Sequence, residues 1–160
     1  MFVLGIDPGL SATGYGLVEG SNPPKAHMAG VIRTAADTET PKRLYELHQG
    51  LTEIIADAGP DVIALETVFT NRNLQTAISV GRASGVVLLA ASQANLAVFE
   101  YVPTVIKSAV TGDGSANKSQ VQEMVARLLK LAEPPRPADA ADALAIALCH
   151  LRAAPIGARR

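Results

Sequence analysis

The sequence predicts an α/β fold with five strands, and three observations predict it. Two short, continuous apolar runs, Phe2 to Ile6 and Val62 to Leu65, each deliver a carboxylate at their end, Asp7 and Glu66. Runs without alternation read as strands covered on both faces. The first run is followed at once by a turn and two more strand-like segments, and the rest alternates helical periodicity with one further short strand. At 160 residues the chain fits one domain of common size with a single core. We expect that domain over residues 1–152, with a basic flexible tail at 153–160.

Taken in order, Asp7-Pro8-Gly9 turns the first strand: Pro8 fixes its own φ and supplies no amide donor, while Gly9 tolerates a sharp bend. A second strand, Thr13 to Val18, then returns antiparallel. Lys25 to Thr34 adds a third. Leu44, Leu47, Leu51, Ile54 and Ile55 recur at three- and four-residue spacing between Pro41 and Gly59-Pro60, which marks an amphipathic helix. Leu74 to Gln93 is too long and too rich in Ala and Leu for a strand, and Ser79, Arg82, Ser84 and Ser92 argue against a membrane span. It reads as a helix apolar on more than one side. Ala97 to Val102 forms the fifth strand, and Pro103 opens a short helix carrying Lys107. Gly112 to Ser115 reads as a flexible loop. Asn117-Lys118-Ser119-Gln120 has the Asn-x-x-Gln form of a capping box, and its helix ends near Leu131. Lys118, in that first turn, opposes the helix dipole unless an anion sits nearby. Pro134 to Pro137 is an extended linker, and Asp139 to Leu151 forms the last helix, with Asp139 at its N-cap.

Composition narrows the function classes. A hydrophobic content of 48% with 18% charged residues is globular, and the opening Met-Phe-Val-Leu lacks the basic start and long apolar core of a signal peptide. We expect a cytoplasmic protein. Cys149, alone, lies in an apolar helical pattern and reads as a buried structural thiol. The net charge is -1, yet residues 1–67 hold four Lys/Arg against nine Asp/Glu, while residues 68–132 hold six against three. An acidic cleft with basic flanks suits a phosphate polymer bound through metal ions.

Four acids can meet in that cleft. Asp7 and Glu66 end two central strands, and Asp139 with Asp142, three apart, share one face of an alanine-rich helix. Each has an ordinary reading as a turn or cap residue. Together they repel, so their clustering makes sense when cations neutralise them. Carboxylates without histidine select hard ions, Mg²⁺ or Mn²⁺, and two such ions about 4 Å apart suit phosphodiester hydrolysis.

The chain resembles the RuvC-type Holliday junction resolvases over nearly its whole length. The resemblance rests on Gly5-Ile6-Asp7-Pro8-Gly9 with Thr13-Gly14-Tyr15-Gly16, Leu65-Glu66 with Phe69, Gly81-Arg82 with Gly85-Val86, Glu100-Tyr101, Val105 with Lys107, Gly114-Ser115-Ala116 with Lys118-Ser119-Gln120-Val121, and Ala138 to Ala145. It implies a ribonuclease H-like fold, a mixed five-stranded sheet flanked by helices, and a crossover junction endodeoxyribonuclease acting in recombination and repair. It further implies Asp7, Glu66, Asp139 and Asp142 as ligands of two Mg²⁺, with Mn²⁺ as substitute. Lys107 and Lys118 would lie near the scissile phosphate, Phe69 would stack on junction bases, and Arg72, Asn73 and Ser115 would add DNA contacts. The expected partners are four-way junction DNA, a second copy of the chain and a branch-migration motor complex. Asp113 places an acid in a loop expected to face DNA.

Two other classes compete. Asp-x-Gly followed by Thr-Gly also resembles the phosphate loop of actin-like ATPases and sugar kinases, but those proteins need two such domains, and no second Gly-rich phosphate loop is present. A catalytically idle junction-binding module is the third. Metal-dependent junction cleavage without ATP turnover separates all three. For the dimer, the helix from Leu74 to Gln93 supplies the expected interface through Ala77, Ile78, Gly81, Gly85, Val86 and Leu89.

Overall fold

A computed structural model describes residues 1–67 and 73–153. Five strands, β1 (Phe2–Asp7), β2 (Ala12–Glu19), β3 (Lys25–Arg33), β4 (Val62–Glu66) and β5 (Ala97–Tyr101), form one mixed sheet in the order β3-β2-β1-β4-β5. The first three pair antiparallel, whereas β1, β4 and β5 run parallel. The expected central place of β1 follows from its sequence: Val3, Leu4 and Ile6 are fully buried, and only a strand covered on both faces buries consecutive residues.

Helices cover both faces. Leu4, Ile6, Leu17, Ile63 and Leu65 point toward α1 (Thr40–Ala58) and α2 (Leu74–Gln93). Val3, Val18 and Ala64 point the other way, toward α3 (Pro103–Thr111), α4 (Lys118–Leu128) and α5 (Ala138–Ala153). The period-two alternation of a strand then places Asp7 and Glu66 on the α5 side, in line with Val3 and with Ala64.

Glycines set how closely α5 approaches. A Cβ on Gly5 would fall 2.0 Å from the Ala143 carbonyl oxygen, and one on Gly14 would fall 2.1 Å from that of Asp139. Gly16, the register partner of Gly5, gives the same room to Leu144. The helix therefore lies on the backbone of β1 and β2, a proximity that only glycine permits.

Two local expectations are corrected. The last helix begins at Ala138, so Asp139 lies inside its first turn instead of at the N-cap, and Asp142 lies beyond that turn. The Gly112 to Ser115 loop is tied down: the Asp113 carboxylate accepts both the Ser115 amide (2.8 Å) and its hydroxyl (2.7 Å). Asp113 thus spends its charge inside the loop, and those bonds hold its pKa below the usual carboxylate range. Phe69, Arg72 and the tail from residue 154 onward lie outside the described residues.

Candidate active site

Thr13 fixes the turn that carries Asp7. Its buried hydroxyl donates to the Gly9 carbonyl (2.6 Å) and accepts the Gly9 amide (3.3 Å), locking the hairpin that Pro8 leaves short of a donor. Asp7 pairs in register with Gly14, over which Asp139 passes. One carboxylate oxygen from each of Asp7, Asp139 and Asp142 lies within 4.8 Å of the others. None of the three caps a helix among the described hydrogen bonds, so the ordinary capping account of the Asp139 and Asp142 pair does not hold.

Glu66 stands beside this triad, on the next strand. It lines a cavity of about 210 Å³ together with Lys107, Lys118 and Asp142, floored by Ile106, Val121 and Ala145. Tyr101, its register partner on β5, shares a 2.7 Å hydrogen bond with His150 Nδ1 and so ties that edge of the sheet to α5. Lys118 comes from the first turn of α4, held by the predicted capping box of Asn117 and Gln120. Its Nζ lies 2.8 Å from Asp142 Oδ2, which supplies the anion that a lysine at a helix N-terminus needs. Arg136, the only nearby base in sequence, forms no ion pair among the described residues.

Charge is crowded here. Burial first, then repulsion from Glu66, Asp142 and Asp139, pushes the Asp7 carboxyl up to about 7, with Lys118 opposing. Burial and Asp142 likewise raise Glu66, against the pull of Lys118 and Lys107. The hydrogen bond to Asp142 holds Lys118 above the usual lysine value. An excess of negative charge at the end of two parallel strands, walled by two lysines, can bind hard cations and a phosphate together.

Sequence reasoning missed a group on the other side of the same hairpin. Arg43 occupies the buried stripe of α1 with Leu47, Leu51 and Ile55 at four-residue intervals, and a cation in a core stripe was the available signal. The exposed DNA candidates Asn73 and Ser115 are at the start of α2 and in the α3–α4 loop. Of the interface candidates, Ile78, Gly81, Gly85 and Leu89 are exposed along α2, and Leu88 joins them. Ala77 and Val86 are half-buried, and Val86 packs against the core beneath.

Comparison with known proteins agrees with this geometry. The family model described as crossover junction endodeoxyribonuclease RuvC matches residues 3–150. A protein of that name from Salinispora arenicola is 50% identical over 153 residues, covering 94% of this chain and 87% of the relative. Its counterpart from Natranaerobius thermophilus is 45% identical, with 96% of each chain covered. Among solved structures, Thermus thermophilus RuvC in complex with Holliday junction substrate superposes with a TM-score of 0.90 at 38% identity, over 95% of this chain and 93% of the other. A yeast mitochondrial Holliday junction resolvase shares the fold, with a TM-score of 0.67 at 17% identity over 94% of this chain and 78% of the other. The fold, the site and these likenesses together place the chain in the RuvC family of crossover junction endodeoxyribonucleases.

Proposed function

We propose that this chain is a structure-selective endonuclease that resolves four-way Holliday junctions by paired symmetric nicks, in DNA recombination and repair. The observation that carries the reading is the meeting of Asp7, Asp139 and Asp142 within 4.8 Å, beside a cavity that holds Glu66 and two lysines. Junction binding by the Thermus relative supports the same substrate here.

The assigned cofactor is Mg²⁺, two per site, with Mn²⁺ as substitute. The donor chemistry fits: the cluster is all carboxylate oxygen, and Asp7 is raised first by burial and then by the neighbouring acids, whose repulsion Lys118 only partly offsets. Asp7, Glu66, Asp139 and Asp142 would hold the ions, which when bound supply Lewis-acid polarisation of a phosphoryl oxygen and a lowered water pKa. The protein's own part is to hold four carboxylates rigidly on strand ends and a glycine-seated helix. Lys107 and Lys118 grip the non-bridging oxygens of the scissile phosphate and balance charge as it develops there. Arg72, Asn73 and Ser115 extend the DNA contact, and Phe69 stacks on a base near the crossover.

The working unit is a two-fold dimer through the outer face of α2, so that two active sites meet two strands of like polarity. A branch-migration motor complex is the further partner assigned. Action on DNA fits the expected cytoplasmic location. The test is nicking of a synthetic four-way junction against a linear duplex of the same sequence. We expect Mg²⁺-dependent paired nicks in the junction, abolished by EDTA. Equal nicking of the duplex would overturn structure selectivity, and tight binding without cleavage would assign the chain to the idle-module class.

A further inference from the structure

Among the described residues, Arg43 is the one Lys or Arg that is buried, with 9% of its surface exposed. Its Nε donates to Thr34 Oγ1 (2.9 Å), and its Nη2 donates to Ser11 Oγ (2.7 Å). Thr34 passes its own hydroxyl proton to the Leu10 carbonyl (2.6 Å) and its amide to the Ser11 carbonyl (3.2 Å). The tip of the β1–β2 hairpin is thereby bolted to the start of α1.

The bonds explain the clamp but not the charge. A neutral amide could donate as many hydrogen bonds, whereas a buried cation costs free energy unless an anion balances it. No carboxylate lies within 4.0 Å of the guanidinium among the described residues, and residues 68–72 contain no acid. Arg43 also sits in the first turns of α1, where the helix dipole opposes a cation. Ser11 is exposed, accepts from Arg43, and donates its own proton to no described group. A hydroxyl polarised by a cation and turned toward solvent is a donor for an anion.

We propose that Ser11 and Arg43 form a phosphate contact separate from the catalytic lysines: the Ser11 hydroxyl donates to a phosphodiester oxygen, and the guanidinium behind it supplies the balancing charge. The proposal rests on the reading of this face as a junction-binding surface. Ser11 follows Asp7 by four positions, so their Cα atoms lie no more than about 14 Å apart. Phosphates recur every ~3.4 Å of helix axis along one strand, which puts the contact within about four phosphates of the scissile one.

The experiment measures binding of the full chain to a synthetic four-way junction in EDTA, as a function of salt, with thermal melting of each variant alongside. Arg43→Gln should reduce the slope of log K against log salt by about 0.9, the value for one phosphate. Arg43→Lys should keep the wild-type slope. Ser11→Ala, at an exposed position but with the acceptor of the Arg43 Nη2 bond removed, should lose about tenfold in affinity, the scale of one hydrogen bond to a charged group, with an unchanged slope and a melting temperature lowered only modestly, the transition staying cooperative. Wild-type affinity in Ser11→Ala together with a wild-type slope in Arg43→Gln would reduce the pair to a structural clamp and overturn the proposal. If Arg43→Gln fails to melt cooperatively, Ser11→Ala decides alone. A wild type that does not prefer junctions would instead overturn the functional reading.

Discussion

Helices α2 and α5 are both rich in alanine and both apolar, yet they end in opposite environments. Ten of the sixteen residues of α5 are buried, against four of the twenty in α2. The difference lies in where the glycines are. Under α5 they belong to the strands, at Gly5, Gly14 and Gly16, and the helix backbone fills the space that their missing side chains leave. In α2 they belong to the helix, at Gly81 and Gly85, and a Cβ added to either meets nothing within 4 Å. A glycine in a strand beneath a helix lets the helix descend onto the sheet. A glycine on the outer face of a helix leaves its backbone open to close approach from outside.

The comparison is broken most severely at the end of α5 that carries the chemistry. Asp142→Asn or Asp7→Asn keeps side-chain shape and removes one charge, so Mg²⁺-dependent junction nicking should fall by about 10³-fold or more, the scale of losing one preorganised electrostatic group. Junction binding should persist. Nicking within tenfold of wild type in either variant, or in Glu66→Gln, would remove that residue from the ligand set.

Next in size is the seat itself. Gly5→Ala drives a methyl into the Ala143 carbonyl, a clash with backbone that no rotamer relieves, and should cost about 3 kcal/mol or more. Gly85→Ala places the same methyl in open space within a helix and should stabilise the monomer by about 0.5 to 1 kcal/mol. Urea unfolding of the two variants separates the roles. Equal effects would mean that strand and helix glycines are not different in kind.

A third effect follows from the burial of Asp7 among the other acids. In the folded chain Asp7 titrates at about 7, above the ordinary 3.8, so between those values the native state binds a proton that the unfolded chain has released. Stability carried by this group is therefore present in acid and lost as pH rises from about 4 toward 7, by up to about 4 kcal/mol. In EDTA the protein should unfold at lower urea at pH 8 than at pH 5, and Asp7→Asn should flatten that dependence. Added Mg²⁺ should restore more stability at pH 8, because ions bind the deprotonated carboxylates. An unchanged pH dependence in Asp7→Asn would place the repulsion elsewhere.

What could be read from the sequence was what repeats locally. Apolar runs ending in Asp7 and Glu66, the capping box at Asn117 and the limits of the α2 helix follow from neighbours along the chain. What could not be read was what crosses it. Lys118 neutralises Asp142 from twenty-four residues away, and no spacing rule announces such a pair. Asp139 looked like an N-cap because Asp commonly is one, but the helix starts at Ala138 and the fold holds the Asp139 carboxylate within 4.8 Å of those of Asp7 and Asp142, against their repulsion. Arg43 broke an otherwise apolar stripe, and its partners Ser11 and Thr34 lie on a hairpin that only the tertiary fold brings near.

The smallest effect on the monomer should be the most informative about α2. Leu74, Ile78, Gly81, Gly85, Leu88 and Leu89 form an outer face that is exposed in the single chain, with Leu74 at 76%, Leu89 at 53% and Ile78 at 45%. Val86 is a poor probe of that face, because it packs against the core as well. Ile78→Glu or Leu89→Glu should leave the unfolding free energy within about 0.5 kcal/mol of wild type when both are measured dilute enough to be monomeric, as surface changes do, while at higher concentration sedimentation shifts from the proposed dimer to monomer. In the proposed two-fold dimer the charge would have to be buried without a partner, and each substitution would be met twice. Junctions incubated with such a variant should accumulate single nicks in place of paired ones. A wild type that sediments as a monomer at micromolar concentration and still makes paired symmetric nicks would separate α2 from resolution altogether, and its exposed leucines would then need another occupant.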